Sequence, residues 1–425
     1  MLPAVAERPN DMDSRVAVTA GESGTALDRP PSVWVFKCHR AGDHAQSIAL
    51  ADALGWPYVV KEMKFLPHEL YYALRGKGTL AGIDRRRSSP LQPPWPDLII
   101  MAGRQNETPA KWVRDQSGGH TRIVVIGRYW TPAAELDLVV TPPQFRLREH
   151  PHVLVNDFPL HQVTRDKLDE AARVWRPRLA DLPHPWIALV VGGSSGPYVF
   201  SRETARRLGR EASAFARTHG GSLLVTTSPR TSRGAMEALD RAIEVPHKFY
   251  RWRPSDPENP YLGYLALADR FIVTADSLSM LAEACASGRP VFMFEFGGGP
   301  AAMHGPRARD PRIRQWWRWS QLKDQGLLGL HYALAIGLPP WRINRSRDIR
   351  LAQDRFVSLD RARWLGQDDP RPWHPAPLQD LDRAVARVYA LLGRSGSGAD
   401  PVHKARSGPH DAVGPAAAPM LPGAP

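Results

Sequence analysis

The clearest succession of apolar and polar positions lies in residues 271–294, which read FIVTADSLSMLAEACASGRPVFMF. The apolar run at residues 271–273 predicts a buried strand, and polar residues follow where it ends. Asp276 or Ser277 is a preferred N-cap, so a helix is predicted to begin there. A Gly–x–Pro sequence then predicts the end of the helix, before a second strand over residues 291–294.

This strand–helix–strand unit gathers its polar residues at one end. In open parallel sheets ligands bind at that end, and a helix N-terminus attracts anions through its unpaired N–H groups. The same residues fit equally well an ordinary unit in which Ser and Asp only cap the helix.

Two further strands of the second half also run into loops rich in Gly, Ser and Thr. The strand predicted over residues 186–191 leads into residues 192–196, and the strand over 222–226 leads into residues 226–231. Backbone N–H groups and hydroxyls converging at helix starts suit a diphosphate. One such loop is weak evidence, whereas three at one sheet edge favour an anion site.

The first half repeats the alternation of short apolar runs and helical patterns. A strand predicted over residues 33–37 is followed by Gly42-Asp43-His44 and a helix over residues 45–54. Asp43 and His44 would lie at the helix start, where either can act as a base. The alternative is that Asp43 caps the helix and His44 is exposed. Two later strands end in Gly-Arg, at Arg104 and Arg128, where an arginine can clamp a phosphate or form a surface ion pair.

Length and composition predict a soluble α/β protein of more than one domain. The chain has 425 residues, 43% of them hydrophobic and 23% charged, and this length exceeds one ordinary core. Strands that alternate with helices predict mostly parallel sheets. The predicted divisions are a disordered tail (1–31), an α/β domain (32–165), a linker (166–183), a second α/β domain (184–376), a helix (377–395) and a disordered tail (396–425).

Charge and motifs narrow the class of function. The formal net charge is +13, and residues 301–375 are basic and rich in Trp, including the run Trp316-Trp317-Arg318-Trp319. Such a segment can favour anionic lipid or phosphorylated substrates, but no nucleic-acid recognition motif accompanies it. Metal and P-loop motifs do not occur, and Cys38 and Cys285 are expected to be buried filler, so no metal or cofactor is expected.

No apolar run reaches the roughly 20 residues that span a bilayer. We therefore expect a cytoplasmic protein, with peripheral contact to the inner face of the cytoplasmic membrane left open.

The two α/β halves, with the second ending in TADSLSMLAEACASGRPVFMF, resemble the GT-B glycosyltransferases. That resemblance implies two Rossmann-like domains facing a central cleft, with a nucleotide-sugar held mainly on the second. It also implies that Glu283 holds the ribose hydroxyls, that Ser277 and Ser279 face the phosphates, and that the helix over 377–395 packs back on the first domain.

A closer resemblance covers about residues 33–391. The stretches AGDHAQSIALADALG, SGGHTRIVVIG, VGGSSGPY, GGSLLVTTSPRT and NPYLGYLALADRFIVTADSLSMLAEACASGRPV resemble the elongated-mitochondria fission-protein family, whose bacterial members are treated as glycosyltransferases. This chain resembles a bacterial member. Many members carry Gly-His directly before the helix, whereas this chain has Gly42-Asp43-His44, so the base stays open between Asp43 and His44.

The resulting hypothesis is metal-independent transfer of a sugar from a nucleotide-sugar to a lipid-linked or cell-envelope glycan. Loops at Gly193, Thr227 and Ser277 would hold the diphosphate, which Arg230 would neutralise. The residues expected to contact the nucleotide-sugar are Gly192, Gly193, Ser194, Thr226, Thr227, Ser228, Arg230, Asn259, Tyr261, Asp276, Ser277, Ser279, Met280 and Glu283. Two alternatives stay open: a non-catalytic membrane-surface adaptor of the mitochondrial-fission type, and a nucleotide-sugar epimerase of the same fold.

Overall fold

The computed structural model describes residues 29–38, 40–66, 77–129, 131–195, 198–297, 303–304, 347–367 and 371–394. The predictions for the two tails, for Gly196 and for the Trp-rich run at residues 316–319 lie outside these residues.

The described residues form two parallel six-stranded sheets, as the alternation of strands and helices predicts. The first sheet has the order β2-β1-β3-β4-β5-β6. Its strands are β1 (Val33–Phe36), β2 (Tyr58–Lys61), β3 (Leu98–Ala102), β4 (Arg122–Ile126), β5 (Leu138–Thr141) and β6 (Val153–Val155). Strands β1, β3 and β5 are buried along their whole length, which explains why they read as continuous apolar runs.

The second sheet has the order β12-β11-β10-β7-β8-β9, which is the strand order of the Rossmann fold. Its strands are β7 (Trp186–Val190), β8 (Ser222–Thr226), β9 (His247–Tyr250), β10 (Arg270–Thr274), β11 (Val291–Phe294) and β12 (Arg363–Trp364). The two-residue strand β12 has no apolar run of its own, and the sequence did not predict it.

Each sheet has one point where the strand order reverses. In the first sheet β1 pairs with both β2 and β3, and in the second β7 pairs with both β8 and β10. Loops that leave neighbouring strands there run in opposite directions and open a crevice at the carboxyl edge, where ligands bind in such sheets.

Nine helices in the described part of the chain cover these sheets. They are α1 (Ala41–Leu54), α2 (Glu107–Gln116), α3 (Arg165–Leu179), α4 (Arg202–Thr218), α5 (Arg233–Ala242), α6 (Tyr261–Leu267), α7 (Leu278–Ala286), α8 (Ile349–Ser358) and α9 (Asp380–Leu391). None of these helices is long and apolar enough to cross a membrane.

Helix α1 begins at Ala41, four residues earlier than predicted, and ends at Leu54, with Gly55 as its C-cap at a φ of 68°. The early start places Gly42, Asp43 and His44 inside the first helical turn. The turn that was expected to carry them as a loop is therefore only residues 37–40.

The segment predicted as a linker is mostly the helix α3. Its partly buried Leu168, Ala172 and Trp175 pack on the core of the second sheet. The contact is close at Gly263 of α6, where an added Cβ would lie 2.3 Å from Trp175 Cγ. The connection between the two sheets is thus part of the second core.

The final helix α9 packs against the first sheet. Ala384 and Val388 of α9 are fully buried in the same cluster as Leu50 of α1. The Tyr389 ring lies 4.8 Å from the ring of Trp56, and its hydroxyl donates to the Leu54 carbonyl at 3.1 Å. The chain therefore returns to its first half after building the second.

The start of α8 is bonded to the edge of the first sheet. Asp348 caps α8 through its side chain, its N–H donates to the Gln144 carbonyl at 2.8 Å, and Arg146 donates to its Oδ2 at 2.5 Å. Gln144 lies in the 3-10 helix that follows β5. These bonds fix residue 347 near the carboxyl edge of the first sheet.

Candidate functional site

Asp276 is the centre of a bonded network at the carboxyl edge of the second sheet. Its side chain is 0% exposed, and Oδ2 accepts hydrogen bonds from Arg230 Nη1 at 2.6 Å and from the Gly193 N–H at 3.2 Å. Burial raises the pKa of the Asp276 carboxyl, and the Arg230 guanidinium opposes that rise. Arg230 also donates to the carbonyls of Gly193 and Ser194, both at 3.2 Å. The Arg230 guanidinium is therefore already hydrogen-bonded to groups within this network.

Two glycines allow the loop after β7 to approach this network. A Cβ on Gly192 would lie 2.5 Å from Asp276 Oδ2, and a Cβ on Gly193 would lie 2.3 Å from the Arg230 carbonyl oxygen. Gly193 also has a φ of +144°. The Gly192 N–H donates to Thr274 Oγ1 at 2.7 Å. In this structure the N–H groups of both glycines thus donate to side chains at the end of β10 and just after it.

The loop after β8 is held by its own hydroxyls. Ser228 Oγ and Thr231 Oγ1 both donate to the Gly192 carbonyl, the latter at 2.7 Å. Thr227 Oγ1 accepts from the Trp252 N–H at 2.9 Å. Thr226, Thr227 and Ser228 are buried. The structure brings the three predicted loops together, and it gives their side chains bonds to one another. Their contact with a nucleotide stays a prediction.

Helix α7 begins beside the first turn of α1. Ser277 is the N-cap of α7, and its side chain makes no capping hydrogen bond. A Cβ built on Gly42 would lie 3.3 Å from Ser279 Oγ. The N-terminal ends of α1 and α7, one from each sheet, therefore meet across the space between the two carboxyl edges, with Met280 half-buried beside Ser279.

Glu283 lies further along α7, and it pairs with Tyr261. The Tyr261 hydroxyl donates to Glu283 Oε2, and Asn259 Oδ1 accepts from the Tyr261 N–H at 3.0 Å. Burial raises the pKa of Glu283 to about 7, although the Tyr261 hydrogen bond works against that rise. Asn259, Tyr261 and Glu283, all predicted site residues, thus form one group in which Tyr261 orients the carboxylate.

His44 lies in the first turn of α1. Its pKa is lowered by burial and, to a smaller extent, by Lys37, so the ring is neutral at pH 7. Nδ1 has no hydrogen-bond partner among the described residues. The nearby Lys37 forms an ion pair with Glu62 at 3.3 Å.

Asp43 belongs to a different electrostatic neighbourhood. The pKa of Arg128 is lowered to about 10, mainly by burial and also by Arg40 and Arg347, while Asp43 opposes the fall. Burial also lowers the pKa of Arg347. In the first half, Asp43 opposes that fall and Arg40 adds to it.

In the second half, Arg230 lowers the pKa of Arg347 and Asp276 raises it. Arg347 therefore lies within electrostatic range of both Asp43 and Asp276.

Arg40 and Arg347 were not predicted as site residues. Arg128 was noted only as a strand-end Gly-Arg pair, which was the one local signal of its position. Among the described residues, no group of three or more His, Cys, Asp or Glu side chains is placed to hold a metal ion.

This architecture defines the class of protein. Two parallel sheets, each with its strand-order reversal at the carboxyl edge, meet there through α1 and α7, as in the GT-B fold. The family model described as "Mitochondrial fission ELM1" matches residues 41–311, more than half of the chain. The chain belongs to that family, as the sequence motifs predicted.

Two curated relatives and one solved structure illustrate the similarity. "Mitochondrial fission protein ELM1" of Arabidopsis thaliana is 29% identical over 220 residues, 47% of this chain and 51% of the relative, so the match spans about half of that protein's length. "Uncharacterized protein RP120" of Rickettsia prowazekii is 24% identical over 302 residues, 62% of this chain and 83% of the relative. A glycosyltransferase structure from Rickettsia africae has a TM-score of 0.39 and 11% identity, covering 86% of this chain and all of that one (100%).

Proposed function

We propose that this protein transfers a sugar from a nucleotide-sugar to an acceptor hydroxyl, without requiring a metal ion. The observation that carries the proposal is the meeting of Gly42 on α1 with Ser279 on α7. Gly42 follows β1 and Ser279 follows β10, and each of these strands borders the strand-order reversal of its sheet. The carboxyl edges, where ligands bind in such sheets, would therefore open onto one space. A donor on the second sheet would then face an acceptor on the first.

On the donor side, Glu283 would accept hydrogen bonds from the two vicinal hydroxyls of a ribose. A carboxylate has acceptor sites enough for both hydroxyls and for Tyr261. The Tyr261 hydrogen bond fixes the carboxylate before the nucleotide arrives. The start of α7, with Ser277 and Ser279, would face the diphosphate through its N–H groups.

On the acceptor side, Asp43 is the favoured base and His44 the alternative. Asp43 is an electrostatic neighbour of Arg347, and Arg347 also interacts with Arg230 and Asp276 of the second half. The electrostatic neighbours of His44 are instead Lys37 and Glu62 of the first half. The base would take the proton of the acceptor hydroxyl. As the new bond from that oxygen to the anomeric carbon forms, the bond from the anomeric carbon to the diphosphate breaks, and the nucleoside diphosphate leaves with the electron pair.

A lipid-linked or cell-envelope glycan is the proposed acceptor class. The exposed run Arg85–Arg87 lies on a loop fixed by Asp84, whose Oδ1 accepts the N–H groups of Arg86 and Arg87 at 3.1 and 3.2 Å. The loop is bonded to the chain after β2, and Val59 and Val60 of that strand are 53% and 41% exposed. Basic side chains beside exposed apolar ones support peripheral contact with an anionic lipid surface.

A second candidate function comes from the Arabidopsis relative, whose name calls it a mitochondrial fission protein. A family member of that kind would be an adaptor on a membrane surface that keeps the fold without turnover. It would have no need of a nucleotide-sugar.

Thermal unfolding with UDP-, GDP-, CMP- and TDP-sugars tests the proposal. An enzyme is expected to gain stability from its donor as the donor concentration rises above Kd, and Glu283→Ala is expected to lose that gain. Glu203→Ala is a matched control, because Glu203 is a carboxylate on the exposed face of α4.

An adaptor would show no shift with any donor at near-millimolar concentration. Epimerised sugar formed without an acceptor would instead identify an epimerase. Equal donor binding by Glu283→Ala and wild type would show that the ribose site is placed wrongly.

A further inference from the structure

A groove lined by arginine side chains runs between α4 and α5. Its volume is about 290 Å³, and its lining includes Arg206 and Arg210 of α4 and Arg241 of α5. Because α5 ends at Ala242, just before β9 begins, the groove lies towards the amino edge of the second sheet. It is therefore separate from the candidate site, which lies at the carboxyl edge.

Small residues explain why a groove forms here. The two helices approach so closely that a Cβ on Gly209 would lie 2.7 Å from the Cβ of Ala242. Ala238 and Ala242 line the groove with methyl groups only, while the much longer arginine side chains extend on both sides of them. The result is a concave strip with an apolar floor and cationic walls.

The walls of the groove carry more positive than negative charge. Arg206 and Arg210 share one carboxylate, Glu203, at 3.2 and 3.9 Å. Arg241 lies 3.8 Å from Glu237, a carboxylate that a second arginine of α5 contacts at 2.9 Å. Each of these two carboxylates is thus divided between two guanidinium groups.

The same surplus continues along α4. Glu244, at one end of the groove, pairs with Arg217 at 3.0 Å. At the start of α4, Arg202 lies against α5, since a Cβ on Gly234 would be 2.6 Å from its Nε. From Arg202 to Arg217 the stripe is about 22 Å long. It contains six exposed arginines and three glutamates, namely Arg202, Arg206, Arg210, Arg217, Arg233 and Arg241 with Glu203, Glu237 and Glu244.

The other charged residues of the two helices are paired away from this stripe. Arg207 pairs with Glu211 and also donates to the Glu295 carbonyl. Asp240 pairs with Arg251 at 2.8 Å. The positive surplus of the stripe is therefore not offset by the remaining side chains of α4 and α5.

The spacing of the charges matches an acidic helix. Arg206 and Arg210 are one turn apart, about 6 Å along the helix axis, which is also the spacing of carboxylates at positions i and i+4 of a partner helix. The alanine floor would receive a small apolar side chain of that helix. Exposed ion pairs stabilise a protein only weakly, so the arginines can exchange their own glutamates for a partner's carboxylates with little loss of stability.

A membrane or a nucleic acid fits this surface less well. Both helices lie wholly within the described residues, and neither carries an exposed large apolar side chain that could insert into a bilayer. The residues that line the groove include no aromatic ring on which a base could stack.

We propose that the groove between α4 and α5 is a docking site for an acidic helical segment of a partner protein. Carboxylates one turn apart on that segment pair with Arg206 and Arg210, and a further carboxylate pairs with Arg241 on the opposite wall. The inference does not depend on the proposed function, because the groove lies outside the candidate site and needs no nucleotide-sugar.

Fluorescence anisotropy with defined peptides tests the groove. The probe is a labelled peptide of about 20 residues, long enough to form a helix, in which glutamates recur at i and i+4 among alanines and leucines. In the comparison peptide each glutamate is glutamine. Wild type is expected to bind the glutamate peptide about tenfold or more tightly, and added salt should weaken that binding because exposed charges are screened.

Removal of the groove charges is expected to weaken binding of the glutamate peptide at least tenfold. That variant combines Arg206→Gln, Arg210→Gln and Arg241→Gln. The matched control loses three exposed arginines of α3 and should bind as wild type does; it combines Arg165→Gln, Arg173→Gln and Arg176→Gln. Equal weakening in both variants would mean that the peptide responds to net charge alone, which overturns the site.

Charge reversal gives a result that misfolding cannot imitate. A variant with Arg206→Glu and Arg210→Glu is expected to lose the glutamate peptide and to gain binding of a peptide with lysine at the same positions. If the lysine peptide binds this variant no better than wild type, the assigned pairing is wrong.

Phosphatidylglycerol vesicles and a single-stranded oligonucleotide decide the class of partner. Binding of the glutamate peptide that depends on Arg206, Arg210 and Arg241 supports the proposal. Groove-dependent binding of vesicles or of the oligonucleotide, without binding of the glutamate peptide, overturns it and assigns the groove to that ligand instead.

Discussion

The Tyr261 hydroxyl donates a hydrogen bond to the Glu283 carboxylate, in surroundings where burial raises the pKa of that carboxyl to about 7. The Glu283 carboxyl, which we propose binds the ribose, is therefore only about half ionised at neutral pH. A carboxylate accepts two hydroxyl hydrogen bonds, whereas a protonated carboxyl must use one oxygen as a donor. The affinity for the nucleotide-sugar is therefore expected to rise as the pH increases through 7.

Tyr261→Phe is expected to move this pH dependence upward. The hydroxyl opposes the rise in the Glu283 pKa, so its removal leaves the carboxyl protonated to higher pH. Because a hydrogen bond to a charged group contributes about 1.5–3 kcal/mol, Kd for the donor should rise roughly tenfold or more at pH 7 and recover towards pH 9. Calorimetry between pH 6 and 9 measures this, and an unchanged pH profile would contradict the assigned pairing.

Glu283→Gln is expected to stabilise the unliganded protein at high pH. The folded pKa of Glu283 is raised from 4.5 to about 7, so its contribution to stability is fully present below pH 4.5 and is lost as pH rises through 7. Gln does not titrate. The difference in unfolding free energy between variant and wild type should therefore grow from pH 4.5 to pH 8, by at most about 3 kcal/mol.

Urea denaturation at pH 5 and pH 8 measures that difference, with Glu203→Gln as the exposed control. Parallel behaviour of the two variants would contradict the raised pKa of Glu283.

Gly193→Ala is expected to disrupt the network around Asp276. The added Cβ would meet the Arg230 carbonyl at 2.3 Å, which the loop cannot accommodate without moving. Gly220→Ala is the control, because Gly220 also has a positive φ of 68° but open space around its Cβ position. The control should lose about 1 kcal/mol of stability and the Gly193 variant about 3 kcal/mol or more. Equal losses would mean that backbone conformation, not the close contact, makes Gly193 necessary.

Asp43→Asn and His44→Gln separate the two candidate bases. If Asp43 is the base, its replacement should reduce turnover about 100-fold or more while the donor still binds, and His44→Gln should change turnover by only a few-fold. Hydrolysis of the donor, with water as acceptor, gives a rate without knowledge of the natural acceptor. The reverse order of effects would assign the base to His44, whose lowered pKa keeps it neutral at pH 7.

The sequence predicted the parts of the site whose signals are local. Apolar runs marked the strands, and the polar residues after them marked the carboxyl edge, so Asp276 and Ser279 were located from residues 271–294 alone. Glu283 followed from the GT-B resemblance. The Gly-Arg pair at Arg128 was visible but could not be told from a surface ion pair, because nothing nearby in the sequence shows what faces it.

The remaining features depend on contacts between distant segments. Arg347 reaches the cleft because Asp348 is bonded to Arg146, 202 residues earlier. The start of α1 at Ala41 was missed because Gly42 lowers helix propensity at that position. The N–H groups of Gly192 and Gly193 donate to Thr274 and Asp276, which lie 82 and 83 residues later, and no local pattern shows these contacts.

The packing of α9 on α1 has a consequence for the order in which the protein matures. The first sheet leaves the ribosome first, yet its core contains Ala384 and Val388, which are synthesised more than 200 residues after β6 ends at Val155. Until then the apolar face of α1 around Leu50 lacks its cover. The half of the molecule that carries Asp43 is therefore begun first and completed last, and a nascent chain cut before α9 would expose the surface that a chaperone binds.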